Sequence, residues 1–222
     1  MAPKSLAFTG LRQEGLTKAR IEALTDGIFA TVMTILVLGL RVPQLNVPES
    51  SLSKEIVDLW PSILIYALSF TTLGLYWVGH HNLFHYVRHT DRVLLWINIL
   101  FLMSIGFVPF STSLLADYPW PPTAVRVYGG NLIANGLLLY ATWWYVTSGQ
   151  RLVEKDLDPH IVTTVKRRIL VGPAVFSLGM LVSFFDTRVS VILYMLVIPF
   201  YIRPSHIDIH FRGSHQDSGK QD

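Results

Sequence analysis

Two groups of residues in this chain have the types and spacing for chemistry. The first lies in "WVGHHNLFHYVRHTDR", where His81, His85 and His89 fall at i, i+4 and i+8 and His80 stands beside them. On a helix that spacing keeps three imidazoles near one face, where two rings a turn apart can converge on a metal ion or a haem iron. The second lies in "RIEALTDGIFATVMTILVLGL", where Arg20 and Asp26 open an otherwise apolar run. Six residues apart on a helix, the two charges point to different faces and do not pair with each other. Ionisable groups of this kind normally face the interior of a helix bundle, as structural anchors or along an ion route.

The metal reading lacks co-ligands. There is no His-Glu-x-x-His, no cysteine anywhere in the chain, and no carboxylate near the histidines beyond Asp91. Without cysteine, disulfides, thiolate zinc sites and thiol nucleophiles are excluded. A nucleophile elbow, a phosphate-binding glycine loop and a usefully spaced carboxylate pair are also missing, so an enzyme is disfavoured. A hydrogen-bonded network joining Trp77 and His80 or His81 to Arg20 or Asp26 is the expected use of these residues.

The elements that must position these groups are membrane helices. Of 222 residues, 51% are hydrophobic and only 15% charged, with a mean hydropathy of +0.42. A hydrocarbon core of about 30 Å takes about 20 apolar residues of helix. Six segments approach that length, near 20–41, 56–79, 92–115, 124–148, 164–185 and 188–203, the last two joined at "FDTR" as a short hairpin. The first is too long for a signal-peptide core and leads into "LRVPQL" without a small-x-small cleavage site, so it is read as retained. Pro43 and Pro48 end the first helix, "DYPWPPT" separates the third from the fourth, and Pro61 suits a first helical turn. Pro109 and Pro173 are expected to kink their helices.

Fourteen of the eighteen Lys and Arg residues fall on one side of this six-span arrangement. Only Arg41, Lys54, Arg126 and Arg188 fall on the other. The positive-inside rule then puts both termini in the cytoplasm. The expected fold is an all-α membrane protein: a six-helix domain over residues 1–205 and a polar, disordered cytoplasmic tail over 206–222. Asn98 in the third apolar segment and Asn131 and Asn135 in the fourth are candidate interhelical hydrogen-bonders.

On the first helix, Gly27, Thr31, Thr34, Ile35 and Leu38 share one face. Periodicity leaves two readings open. Small and hydroxyl residues favour close helix packing, which is the commoner use, or the stripe lines a water-filled path around a symmetry axis.

The residues "RIEALTDG" resemble the R-x-x-x-F-S-D-G signature of the transmembrane protein 175 family of potassium channels. Arg20, Asp26 and Gly27 match it, and Leu24 and Thr25 stand for the usual Phe and Ser. "IFATVMTILVL", "WVGHHNLF" and "PFSTSLL" are similar to later family segments, and the single six-helix repeat is that of prokaryotic members. The resemblance implies a homotetramer in the cell membrane, with helix one of each subunit lining a central pore for potassium leak and no T-V-G-Y-G filter. It implies a constriction at Thr31, Ile35 and Leu38 and a link between Thr34 and selectivity. It also implies a network of the motif residues with Trp77 and His80 or His81 that holds the pore helix. No cofactor is implied beyond the permeating ion. Thr31 departs from the usual isoleucine or leucine. Conduction of protons or mixed cations, through His and Asp near one mouth, is the alternative within this class; a membrane metal or haem protein built on His81, His85 and His89 is the alternative outside it.

Overall fold

A computed structural model describes residues 7–41 and 49–202, with side chains described over 18–41 and 52–201. All named elements are helical. In chain order they are α1 (Ala7–Ile35), a 3-10 turn (Leu36–Gly39), α2 (Glu49–Asp58), α3 (Trp60–His85), α4 (Arg92–Gly106), α5 (Val108–Asp117), α6 (Pro122–Thr147), α7 (Pro159–Val182) and α8 (Thr187–Ile202).

Helix starts are set by caps and prolines. Asp91 takes the α4 N-cap, its Oδ1 accepting from the Leu94 amide at 2.8 Å, while its other oxygen accepts from the Tyr145 hydroxyl at 2.5 Å. Asp158 caps α7 through the His160 amide at 2.7 Å, and Pro159 follows at the first helical position. Asp186 receives the Arg188 amide at 2.7 Å and turns the chain sharply from α7 into α8. These side chains satisfy amides that the first turn of a helix leaves without backbone partners.

Three described stretches are long and apolar enough to cross a membrane: Lys18–Gly39, Trp60–His85 and Arg92–Asp117. α6 and α7 are of comparable length, at 26 and 24 residues, and α8 is a shorter apolar helix. The ends differ from the sequence reading in physically simple ways. α1 begins well before residue 20, at Ala7. α3 runs on to His85 instead of stopping near 79. α2 was not expected at all: its sequence is polar and gives no spanning signal. Pro109 does more than kink its segment. It starts a new helix, with the break at Phe107, because proline lacks the amide that would continue α4. Pro173 stays inside an unbroken α7, and its ring lies where a side chain on Gly136 would project from α6. Pro43, Pro48 and the tail 206–222 lie outside the described residues.

The core is one continuous set of apolar side chains, including Phe29, Phe84, Phe101, Tyr128, Trp143 and Tyr194. α6 lies against α4, α5 and α7, and α1 against α3 and α4. At one end of the bundle, Lys18 Nζ donates to the Val87 carbonyl at 3.0 Å, and the Arg88 amide donates to the Leu152 carbonyl at 2.8 Å. The start of the α1 span, the α3–α4 loop and the α6–α7 loop are thereby tied together. At the other end, Arg41 pairs with Asp117 at 2.7 Å and joins the end of the first span to α5.

Candidate functional site

The first span sets the geometry of the site. One side of α1 is buried against the bundle through Ile21, Thr25, Phe29, Val32 and Leu36. The other side, carrying Leu24, Gly27, Thr31, Thr34, Ile35 and Leu38, is uncovered within the single chain. Leu38 is 78% exposed and Ile35 43%, which leaves an apolar stripe available to another surface. Gly27 meets nothing within 4 Å of where a Cβ would stand. The tightening into a 3-10 turn after Ile35 keeps that stripe in line, because residues three apart eclipse in a 3-10 helix and Leu38 therefore sits over Ile35.

The hydroxyls on this face turn their protons inward. Thr31 Oγ1 donates to the Gly27 carbonyl at 2.8 Å. Thr34 Oγ1 lies 2.8 Å from the Thr31 carbonyl and 3.1 Å from that of Ala30. With each proton committed to the helix's own backbone, the oxygens present lone pairs to the open side. The face can accept hydrogen bonds or meet a cation.

Two layers of contacts hold α1 against its neighbours. In the outer layer, Trp77 Nε1 donates to Asp26 Oδ1 at 2.8 Å, and the Trp77 ring stacks on His81 with centroids 5.7 Å apart. In the inner layer, His80 lies 2.9 Å through Nε2 from Asn98 Oδ1, and Asn98 Nδ2 donates to Thr25 Oγ1 at 3.3 Å. Since the amide nitrogen of Asn98 faces Thr25, its oxygen accepts and His80 carries a proton on Nε2. The imidazole is buried and packed between Phe84 and Phe101, with centroid separations of 4.2 and 5.6 Å. Thr25 and Asp26, adjacent in sequence, are therefore divided: one serves the buried layer and the other the rim.

Arg20 stands apart from both layers. It is exposed and makes no hydrogen bond or ion pair with another described residue. Leu24 is exposed on the open face and forms no part of the polar contacts. Among the polar residues of α6, Asn131 behaves as expected, reaching Ser111 Oγ and the Ser104 carbonyl, both at 2.9 Å. Asn135 is buried but neither amide atom has a partner among the described residues.

The histidine series does not form a ligand set. α3 ends at His85, so His89 lies in the following loop and the i, i+4, i+8 geometry is interrupted. His81 is engaged by Trp77, and His85 lies edge-on to Tyr86. No group of three or more His, Cys, Asp or Glu capable of holding a metal occurs among the described residues. Asn98 was legible as a lone amide in an apolar helix, but its partners were not. The packing of Phe84 and Phe101 on His80 has no periodic signature.

Comparison with known proteins bears on this arrangement. Residues 20–109, which include both contact layers and the open face of α1, match the family model described as endosomal/lysosomal potassium channel TMEM175. A potassium channel of Chamaesiphon minutus is 35% identical, over 83% of this chain and 93% of its own length. This chain belongs to the TMEM175 family. A second TMEM175 relative, a potassium channel of Streptomyces collinus, is 31% identical over 82% of this chain and 90% of its own. The crystal structure of a lysosomal potassium-selective channel TMEM175 homolog from Chamaesiphon minutus superposes with a TM-score of 0.75 at 31% identity, covering 83% of this chain and 96% of that one. The protein is thus a multi-pass, all-helical membrane protein of an ion channel family, not an enzyme.

Proposed function

We propose that four copies of this chain assemble about a central axis, with the open face of α1 lining a potassium-selective leak pathway. The observation that carries this reading is that face itself. A spanning helix packed tightly on one side leaves Thr31, Thr34, Ile35 and Leu38 uncovered on the other. Potassium conduction is the activity named for the relatives from Chamaesiphon minutus and Streptomyces collinus.

In this arrangement Ile35 and Leu38 form stacked apolar rings that restrict the path by excluding water. Thr34 supplies a ring of hydroxyl oxygens one turn away from Leu38, where a partly dehydrated cation needs replacement ligands. Thr31 lies on the opposite side of Thr34 from Ile35 and adds a ring that hydrates readily. The Trp77–Asp26 and His80–Asn98–Thr25 contacts set the rotation of α1, and so which residues face the axis. Six membrane crossings and cytoplasmic termini complete the reading, supported by the uneven distribution of Lys and Arg between the segments that link the apolar runs of the sequence.

The test is ion flux from liposomes containing the purified protein, with oligomer mass measured on the same sample. Potassium efflux that exceeds sodium efflux, from a particle of four chains, is the expected result. Proton uptake without potassium movement would replace this reading with the proton pathway, and a monomeric particle would remove the central pore.

A further inference from the structure

Two arginines flank the turn between α7 and α8, at the end of the bundle where Arg41 pairs with Asp117. Arg126, one turn into α6, is partly buried. Its Nε donates to Ser183 Oγ at 3.1 Å, and its guanidinium carbon lies 3.7 Å from the centre of the Phe184 ring. Arg188, in the first turn of α8, is exposed and lies over the Trp120 ring at 4.8 Å. Ring faces attract and orient these cations but supply no countercharge. Among the described residues, neither guanidinium has a carboxylate within ion-pair distance, and the terminal nitrogens of both make no hydrogen bond. Asp186 is committed elsewhere: its Oδ1 accepts from the Arg188 and Val189 amides at 2.7 and 3.4 Å and caps α8.

The surroundings decide what kind of anion answers this charge. Phe184 and Phe185 project from the turn, Phe185 being 93% exposed, and Tyr118 and Trp120 are exposed on the segment that joins α5 to α6. Aromatic side chains grouped at one end of a multi-pass bundle belong at the level of the lipid head groups. An open recess of about 370 Å³ lies among them, with Trp120, Ser183, Phe184, Asp186 and Arg188 around it. Guanidinium groups present planar forks of N–H donors that match phosphate oxygens. Two of them with one carboxylate leave a single positive charge, the complement of a singly charged phosphodiester and not of a doubly charged free phosphate.

We infer that the α7–α8 turn binds the phosphodiester of a membrane phospholipid between Arg126 and Arg188, with Phe185 set among the acyl chains. The site rests on the membrane fold and on these side chains, and is independent of the pore face of α1.

Native mass spectrometry of the full-length protein tests the assignment, with phosphatidylglycerol and a glucosyl diacylglycerol of identical acyl chains as probes. The wild type is expected to retain the phospholipid about tenfold better than the uncharged glycolipid, as charge-assisted hydrogen bonds to a phosphate allow. Arg188→Gln, a change at an exposed position, is expected to remove most of that preference, and Arg126→Gln to do the same. Arg188→Lys, which keeps the charge, is expected to retain it. Arg167→Gln, at the opposite end of α7, is expected to leave it unchanged. Melting temperatures identify any variant that has lost its fold, and the wild-type comparison stands without the variants. Equal retention of the two lipids by the wild type, a preference that survives Arg188→Gln in folded protein, or an equal loss in Arg167→Gln would each overturn the proposal. Displacement of the lipid by millimolar inorganic phosphate would also overturn it, in favour of a free-anion site. The readout is binding, so a failure of the conduction reading leaves this one standing.

Discussion

Trp77 donates to a carboxylate on the first span, and that choice of acceptor has consequences. A hydrogen bond to a charged group contributes about 1.5–3 kcal/mol where a neutral one contributes about 1. Asp26→Asn keeps the shape of the acceptor and removes its charge, so it is expected to weaken the α1–α3 contact and lower thermal stability or oligomer yield before it alters ion preference. Melting and oligomer mass, read beside reversal potentials, check this; a stable oligomer with altered selectivity would move Asp26 into the pathway. Thr31 calls for the opposite experiment. Its hydroxyl oxygen faces the open side, and a ring of such oxygens holds water that an aliphatic ring expels. Thr31→Ile is expected to lower potassium flux severalfold and to sharpen potassium over sodium; unchanged flux and selectivity in liposomes would leave the gate to Ile35 and Leu38 alone.

At the scale of elements, the contact between α6 and α7 is the most sharply determined. The Pro173 ring occupies the space that any side chain on Gly136 would need, so Gly136→Val forces apart two helices that share a long seam. Overpacking of this sort costs about 1–3 kcal/mol, and a lowered melting temperature with little folded protein at expression is the expected outcome. The same comparison shows what a sequence carries. The apolar runs that became α1, α3 and α6 were legible because a membrane demands about 20 such residues together. α2 was invisible because it is polar, and the end of α3 at His85 fell beyond the apolar run that set the expected span, short of His89. Pro109 was legible as a disturbance, but whether a proline kinks a helix or divides it depends on what packs beside it. Pro173, seated against a glycine, leaves its helix whole. The site divides in the same way. The motif named Asp26, the expected network named Trp77 as its partner, and the lone Asn98 announced a polar contact. The pairing of His80 with Asn98 and Thr25, and the absence of Arg20 from both layers, follow from helix rotation and packing that no linear pattern encodes.

The whole molecule poses the question of what covers the open face of α1, and the chain provides a clean way to ask it. It contains no cysteine, so a single introduced thiol has no internal partner and any disulfide must join two subunits. A disulfide forms only where Cβ atoms come within about 3.5–4.5 Å. Leu38 is the most exposed residue of the proposed constriction, and around a central axis its equivalents are the ones brought closest. Oxidation of Leu38→Cys in the membrane is therefore expected to yield covalent dimers of subunits on a denaturing gel, and to reduce potassium flux until a reductant is added. Phe101→Cys, buried in the core beside His80, serves as the control and is expected to remain monomeric. A different pattern would follow if the face packed against a neighbouring helix by small-residue contact instead of surrounding a path. Cross-linking would then centre on Gly27 and Thr31 positions, where backbones approach closely, and flux would not respond to the reductant. The distribution of cross-links along α1 thus separates a pore wall from a packing seam, which periodicity alone left undivided.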